Sequence, residues 1–337
     1  MLKTKSKYYF TRLDNASKRV YTSILSAWES RNREPSFIMN PLASNVDIQQ
    51  IIQFIAWDNP GLFYVDFSRV VVTGTPLSMT VHSDFLFSER QIDEAETQLR
   101  QSITAILSSP LLSNIDKMDK YQKELALHDI IIKKISYEHG GINSSSTSIV
   151  GGLLFNKAVC EGYAKTFKLL CDQIGLSCIL VAGTATPQNR PQENHAWNIV
   201  KLSGVCAHID VTWDSTMRIG DEPCYDHFNI TDDDISQDHA WDKTLLPRCI
   251  SAENNYFTRS NSLVQNDADI KDYIKSQLKI GQKNITLKFS DKGLSQSQVE
   301  KKVSDVLSQN SLLSKGSYGS YSLRYNPVRR IVSVMLT

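Results

Sequence analysis

The stretch from Ala158 to Thr212 constrains the fold of this chain most, because its hydrophobic period changes once, from helical to strand spacing. Ala164, Phe167, Leu170, Cys171 and Ile174 fall on one stripe of an amphipathic helix, and Gly175 suits the left-handed residue that ends one. Leu176–Gly183 then reads as a strand and Thr184–Glu193 as a polar loop. Two further strand runs, His195–Leu202 and Val205–Thr212, flank Ser203-Gly204, a pair suited to a two-residue hairpin turn.

This order places three reactive side chains. Cys160 sits in the first turn of the helix, where unpaired N–H groups and the positive end of the helix dipole favour a thiolate. If Leu202 pairs with Val205, His195 falls opposite Thr212, and Asp210 is its diagonal neighbour on the same face. Cys160, His195 and Asp210 then supply a nucleophile, the base that activates it and the carboxylate that orients the base, the set that covalent acyl transfer requires. His128 lies beside Leu127 and Ile131 and reads as a packing residue. His227 and His239 stand among Asp226, Asp232, Asp233, Asp234 and Asp238, the composition of a solvated acidic loop.

The remaining composition narrows the function classes. Lys and Arg (37) nearly cancel Asp and Glu (36), leaving +1, so no global field attracts nucleic acid or an anionic membrane. No apolar run approaches the roughly 20 residues of a membrane helix. The basic start is followed by no apolar leader segment, which makes a cytoplasmic protein the default expectation, with unconventional export or a trimmed signal as the alternative. Six cysteines (Cys160, Cys171, Cys178, Cys206, Cys224 and Cys249) are too few for a disulfide scaffold and form no CxxC pair. No cofactor is called for. No HExxH or matched ligand pair supports a metal, although Cys206, His208 and Asp210 at strand spacing offer a metal or redox alternative.

On either side of the centre the chain repeats one order of elements. Asp14 is a plausible N-cap for a helix with Val20, Ile24, Leu25 and Trp28 at helical spacing. A strand at Ser36–Met39, a helix from about Asn45 to Trp57, the breaker Asp58-Asn59-Pro60-Gly61 and β-rich runs at Leu62–Val72 and Leu77–Phe87 follow, the runs parted by Gly74-Thr75-Pro76. Helices at Glu89–Leu107 and Lys117–Ile135 and a polar loop over Gly140–Ser148 lead to the centre. Beyond it, a helix (Ile270–Leu278), a strand (Asn284–Phe289), a helix (Ser295–Leu307) and two strands (Ser317–Tyr325, Val328–Leu336) restate the order of residues 14 to 87, which suggests two similar modules. The expected division is 1–112, an N-terminal α/β module; 113–255, the core; and 256–337, a C-terminal α/β module.

Three blocks, Val159-Cys160-Glu161-Gly162-Tyr163-Ala164, Asn194-His195-Ala196-Trp197-Asn198 and His208-Ile209-Asp210-Val211-Thr212-Trp213-Asp214, resemble the bacterial form of the transglutaminase-like superfamily, in order and in spacing of 35 and then 15 residues. Tyr225-Asp226-His227-Phe228-Asn229 and the helix at Leu127–Tyr137 look similar to segments that commonly flank them. The resemblance spans about residues 117 to 250; the match of Asp58–Tyr64 to the N-terminal regions of some bacterial members is looser. Nothing resembles the β-sandwich and barrel domains of animal transglutaminases, so calcium activation is not carried over.

The resemblance implies an α+β fold, a papain-like transglutaminase core with its Cys helix packed on an antiparallel sheet, flanked by small α/β modules. It implies a cysteine enzyme that attacks the amide carbonyl of a glutamine side chain or a peptide bond through a Cys160 thioester. A lysine amine would resolve the thioester by crosslinking, and water by deamidation or proteolysis. His195 and Asp210 complete the triad. The Cys160 backbone N–H is one oxyanion donor, with the second unassigned and Ser148 or Asn156 as candidates. Trp197 and Tyr163 are expected to contact a protein or peptide substrate. The alternative is a catalytically silent scaffold that binds a protein or cell-wall partner.

Overall fold

A computed structural model of the chain describes residues 2, 5–38, 46–75, 78–188, 190–218, 222–291, 293–309 and 320–337. The expected starts of a helix at Asn45 and of a strand at Ser317, the residue Met39 and the turn residue Pro76 lie outside these residues.

Helices start where a short polar side chain takes an orphan backbone N–H. After the single turn α1 (Tyr8–Arg12), Asp14 accepts from Ser17 N and opens α2 (Asn15–Glu29), as the spacing predicts, and Val20, Ile24, Leu25 and Trp28 are buried. β1 (Ser36–Ile38) leads to α3 (Ile48–Asp58), capped by Asp47. The β-rich run predicted from Leu62 is a succession of turns instead. Leu62 to Val65 are all buried rather than alternating, with Leu62 N bonded to Asn59 O and Val65 N to Leu62 O; a single antiparallel bridge joins Val65 to Phe85, and a continuous ladder forms only between β2 (Val71–Thr75) and β3 (Ser78–His82). Capping boxes at Ser88 and Asp119 open α4 (Glu89–Leu107) and α5 (Lys120–Lys134).

The centre follows the predicted order. β4 (Ser136–Tyr137) pairs in parallel with β5 (Lys157–Ala158), and the polar loop between them closes through a π-helical turn at Gly151–Phe155. α6 (Cys160–Gln173), β6 (Ser177–Ala185), β7 (Glu193–Leu202) and β8 (Val205–Ile209) come next. Leu202 pairs with Val205 as predicted, across a turn whose Ser203 and Gly204 take φ 49° and 99°. After α7 (Val211–Thr216) and α8 (Asp232–Ile235), β9 (His239–Trp241) returns to the far edge, giving an antiparallel sheet in the order β8-β7-β6-β9. α6 lies on this sheet, with Ala164 against Leu180 and Ala196 and with Asn198 Nδ2 donating to Ala164 O at 3.1 Å. The fold is therefore the α+β arrangement of a cysteine-bearing helix on an antiparallel sheet.

α9 (Tyr256–Arg259), β10 (Leu263–Val264), α10 (Asp267–Lys279), β11 (Asn284–Phe289), α11 (Gln296–Ser308), β12 (Tyr321–Asn326) and β13 (Ile331–Leu336) complete the chain. The flanking sheets, β1-β3-β2 and β11-β13-β12, share one antiparallel strand order, and β10 adds a parallel edge to the second. Their packing differs. α2 and α3 belong to one hydrophobic core that runs from Leu2 to Cys249, crossing residues 112 and 113, whereas α10 and α11 close a separate core between Val264 and Leu336. Among the described residues, no helix is long and apolar enough to cross a membrane.

Candidate active site

Cys160 is the first residue of α6 and is partly exposed. Its N-cap, Val159, has no side chain to offer, so the first N–H groups of the helix are left open at the thiol. The loop ahead of the helix is held close, with Val159 N donating to Ser146 O at 3.0 Å. A Cβ at position 162 would fall 2.2 Å from Ser146 O, which accounts for Gly162. An open cleft of about 460 Å³ runs beside this end of α6, between Asp66–Arg69 and residues 142–148, with Glu161 and Lys165 among its walls.

β7 brings His195 to the thiol. His195 is 6% exposed, its Nε2 lies 2.7 Å from Asp210 Oδ2, and the Cys160 side chain is near enough to raise the ring's proton affinity. With Nε2 committed to Asp210, Nδ1 is the nitrogen left for the thiol. Asp210 meets His195 by a route that differs from the predicted strand. β8 ends at Ile209, and Asp210 becomes the N-cap of α7, its Oδ1 accepting from Thr212 N at 3.0 Å and Trp213 N at 3.1 Å. An aspartate that bonds its own downstream backbone competes with the ladder and turns the chain, so Thr212 lies in a helix rather than opposite His195.

The electrostatics follow from burial against pairing. Burial opposes charge on His195, but the charge and hydrogen bond of Asp210, with Cys160, outweigh it and push the ring up to about 10. Burial also opposes charge on Asp210, yet His195 and His239 hold its carboxyl far below the usual carboxylate range.

His239 departs from the solvated acidic loop expected for it. It is buried on β9, with Nε2 3.1 Å from Asp210 Oδ2 and Nδ1 2.6 Å from Asp238 Oδ1. His227 is likewise buried, its backbone N–H donating to Asp214 Oδ1 at 2.9 Å. His128, expected to pack, does so while its two nitrogens bond Asp129 and Asp214, each at 3.1 Å. Composition is a poor guide here, because Asp226 pairs with Arg324, Asp232 with His208, and Asp238 with His239 and Arg329, while Asp233 alone of these aspartates is exposed. One signal was available: His239-Ala240-Trp241 repeats the triplet His195-Ala196-Trp197, and both triplets are paired to β6.

The other expected residues are placed as follows. Trp197 is buried, its ring 6.0 Å from His195 in a stacked arrangement and its Nε1 donating to His208 Nδ1 at 3.0 Å. Tyr163, expected to contact substrate, points into the core instead: it is 0% exposed, and its hydroxyl donates to Ile135 O at 2.6 Å beside Ser215. Ser148 Oγ bonds Ser145 O at 3.0 Å, and Asn156 is the exposed left-handed residue after the π-helical turn.

Among the described residues two groups have ligand atoms close enough for a metal ion, His195/Asp210/His239 and His208/Asp232/Cys249. In the second, the Trp197 N–H points at His208 Nδ1, so the ring proton sits on Nε2 and is directed at Asp232 Oδ1, 2.9 Å away. That tautomer withholds the lone pair a cation needs there. Asp210 faces away from His208 toward His195 and His239, so Cys206, His208 and Asp210 do not form one ligand set.

A search of curated proteins returned no match. Among solved structures, the chain is similar to a candidate cysteine protease from Cytophaga hutchinsonii (18% identity, 40% of this chain and 52% of that one, TM-score 0.28) and to a TGase (10%, 56% and 52%, 0.31). It is also similar to menin, whose structure is described as revealing the binding site for Mixed Lineage Leukemia protein (12%, 80% and 53%, 0.30). The chain spans about half the length of each. The model of the transglutaminase-like superfamily matches residues 111–216, the segment that carries Cys160, His195 and Asp210.

Proposed function

We propose that this chain is a cysteine acyl-transfer enzyme acting on an amide carbonyl of a protein or peptide. The carrying observation is the line from Cys160 through His195 to Asp210, with the histidine 2.7 Å from its carboxylate. Cys160 sulfur attacks the carbonyl carbon of a glutamine side chain or peptide bond. The oxyanion is met by the Cys160 backbone N–H at the open start of α6. The protonated His195 gives its Nδ1 proton to departing ammonia or amine, and the C–N bond breaks as the thioester is left on Cys160. A lysine amine or water then adds to the thioester, losing its proton to His195, and the thiol is released. Asp210 keeps the Nε2 proton in place throughout, so that Nδ1 does the transferring. The cleft beside Glu161 and Lys165 offers a polypeptide an approach to this end of α6.

The test is incubation with a glutamine-containing protein, with and without a fluorescent primary amine, followed by peptide mass spectrometry, beside Cys160→Ala. Amine incorporation marks a transglutaminase, a gain of about one dalton at glutamine a deamidase, and new termini a protease, each lost in Cys160→Ala. No change across a broad panel, with Cys160 alkylated no faster than the other thiols, overturns the proposal in favour of a silent scaffold.

A further inference from the structure

We propose that His239 is a positioning residue for the His195–Asp210 pair, sharing Asp210 Oδ2 with His195 and held from behind by Asp238 and by Arg329 of the C-terminal segment. The inference rests on the catalytic reading of Cys160 and His195 above.

One carboxylate oxygen receives both rings: His195 Nε2 at 2.7 Å and His239 Nε2 at 3.1 Å, with ring centroids 5.3 Å apart. The second nitrogen of His239 faces another carboxylate, Asp238 Oδ1, at 2.6 Å. Asp238 is kept ionised by its surroundings. Burial opposes its charge, but His227, His239 and Arg329 together hold it well below the usual carboxylate range.

Arg329 comes from the turn between β12 and β13, part of the segment that closes its own core. It is 1% exposed, its Nη2 donates to Asp238 Oδ1 at 2.7 Å, and its Nη1 bonds Asp234 O. The same hairpin is pinned nearby by Arg324 and Asn326 on buried Asp226, at 3.1 and 2.7 Å. The far end of the molecule thus reaches the back of the site through Arg329, Asp238, His239 and Asp210 in turn.

The consequence is electrostatic as well as steric. His239 anchors Oδ2 and takes part of the carboxylate's charge that would otherwise fall on His195 alone. A histidine bound too strongly as its cation is a poor proton donor to a leaving group, so the shared oxygen tempers the ring that does the chemistry. The charged and titratable groups around His239 are Asp210, Asp238, His195, His227 and His208, with Arg329 behind Asp238.

The test uses the full chain labelled with 15N-histidine, reading the His195 titration midpoint by NMR, with His195→Ala to assign it, and the iodoacetamide rate at Cys160. In His239→Leu, with the fold checked by circular dichroism, the His195 midpoint moves upward by about one unit, because a competing donor to Asp210 Oδ2 is gone. His239→Gln, which restores a donor to Oδ2, recovers part of the shift. Arg329→Gln, measured whether or not the leucine variant folds, moves the midpoint upward by less. A midpoint that stays or falls in folded His239→Leu, or in Arg329→Gln if the leucine variant does not fold, overturns the positioning role. If His195→Ala leaves the Cys160 alkylation rate unchanged, the catalytic reading itself fails, and the two failures are told apart.

Discussion

Replacing Asp210 with asparagine isolates the carboxylate from its cap. The retained carbonyl oxygen can still accept from Thr212 N and Trp213 N, so α7 keeps its start, while an NH₂ group replaces the oxygen that His195 and His239 share. His195 is pushed from 6.5 up to about 10 by Asp210 and Cys160 against the opposing effect of burial. Returning it to its ordinary value or lower removes roughly 3.5 units, about 5 kcal/mol at about 1.4 kcal/mol per unit, as an upper bound on what the pairing contributes. The amide also favours the tautomer with Nδ1 protonated and Nε2 bare, the wrong one for accepting a proton from Cys160, and this predicts a loss of about 10³–10⁴ in acyl transfer. The assay is the rate of Cys160 alkylation by iodoacetamide between pH 5 and 9, followed by peptide mass spectrometry, with thermal melting to confirm the fold. A folded Asp210→Asn protein that alkylates at the wild-type rate near pH 7, or whose His195 still titrates near 10, would refute the reasoning.

Burial pushes Glu124 up to about 8, against an Asn229 hydrogen bond and the charge of His128. Its folded form therefore holds the proton more tightly than the unfolded chain, so the stability this lends is full below about 4.5 and is lost as pH rises through 8. Glu124→Gln should flatten the fall in melting temperature over that window by several degrees, and an unchanged slope would contradict the buried-acid assignment. Gly162→Ala drives a Cβ into Ser146 O and should cost about 1–3 kcal/mol in denaturant unfolding while slowing alkylation of Cys160; a wild-type profile would show that the loop yields freely. In Gly183→Ala a Cβ would fall 2.2 Å from Ala240 O, lifting β9 from β6, and the His195 midpoint should move in the same direction as in His239→Leu.

Much of the centre was legible because its signals are local. The stripe of α6, Gly175 beyond its end and Ser203-Gly204 act over a few residues, and the pairing of Leu202 with Val205 follows from the turn alone. The predicted strand that puts Thr212 opposite His195 and Asp210 diagonal to it is over-extended, since the same aspartate is also a good helix cap and in this chain caps one. Leu62 to Val65 mislead for a related reason: aromatic and β-branched residues fit any buried surface, and here turns bury them. Tyr163 stands three residues from Cys160, but helical geometry turns it toward Ile135 and Ser215 rather than toward the thiol.

The sequence by itself determined the order Cys160, His195, Asp210, the helix that presents the thiol and the hairpin that presents its base, because helix period, turn chemistry and capping depend on near neighbours. Tertiary packing alone makes His239 share Asp210, sets Asp238 and Arg329 behind it, and buries His227 and His239 amid the aspartates. Those contacts join residues as far as 91 positions apart. A buried charge is tolerable only beside its partner, and which charges become neighbours is settled by the packing of β9 and the C-terminal hairpin around the sheet.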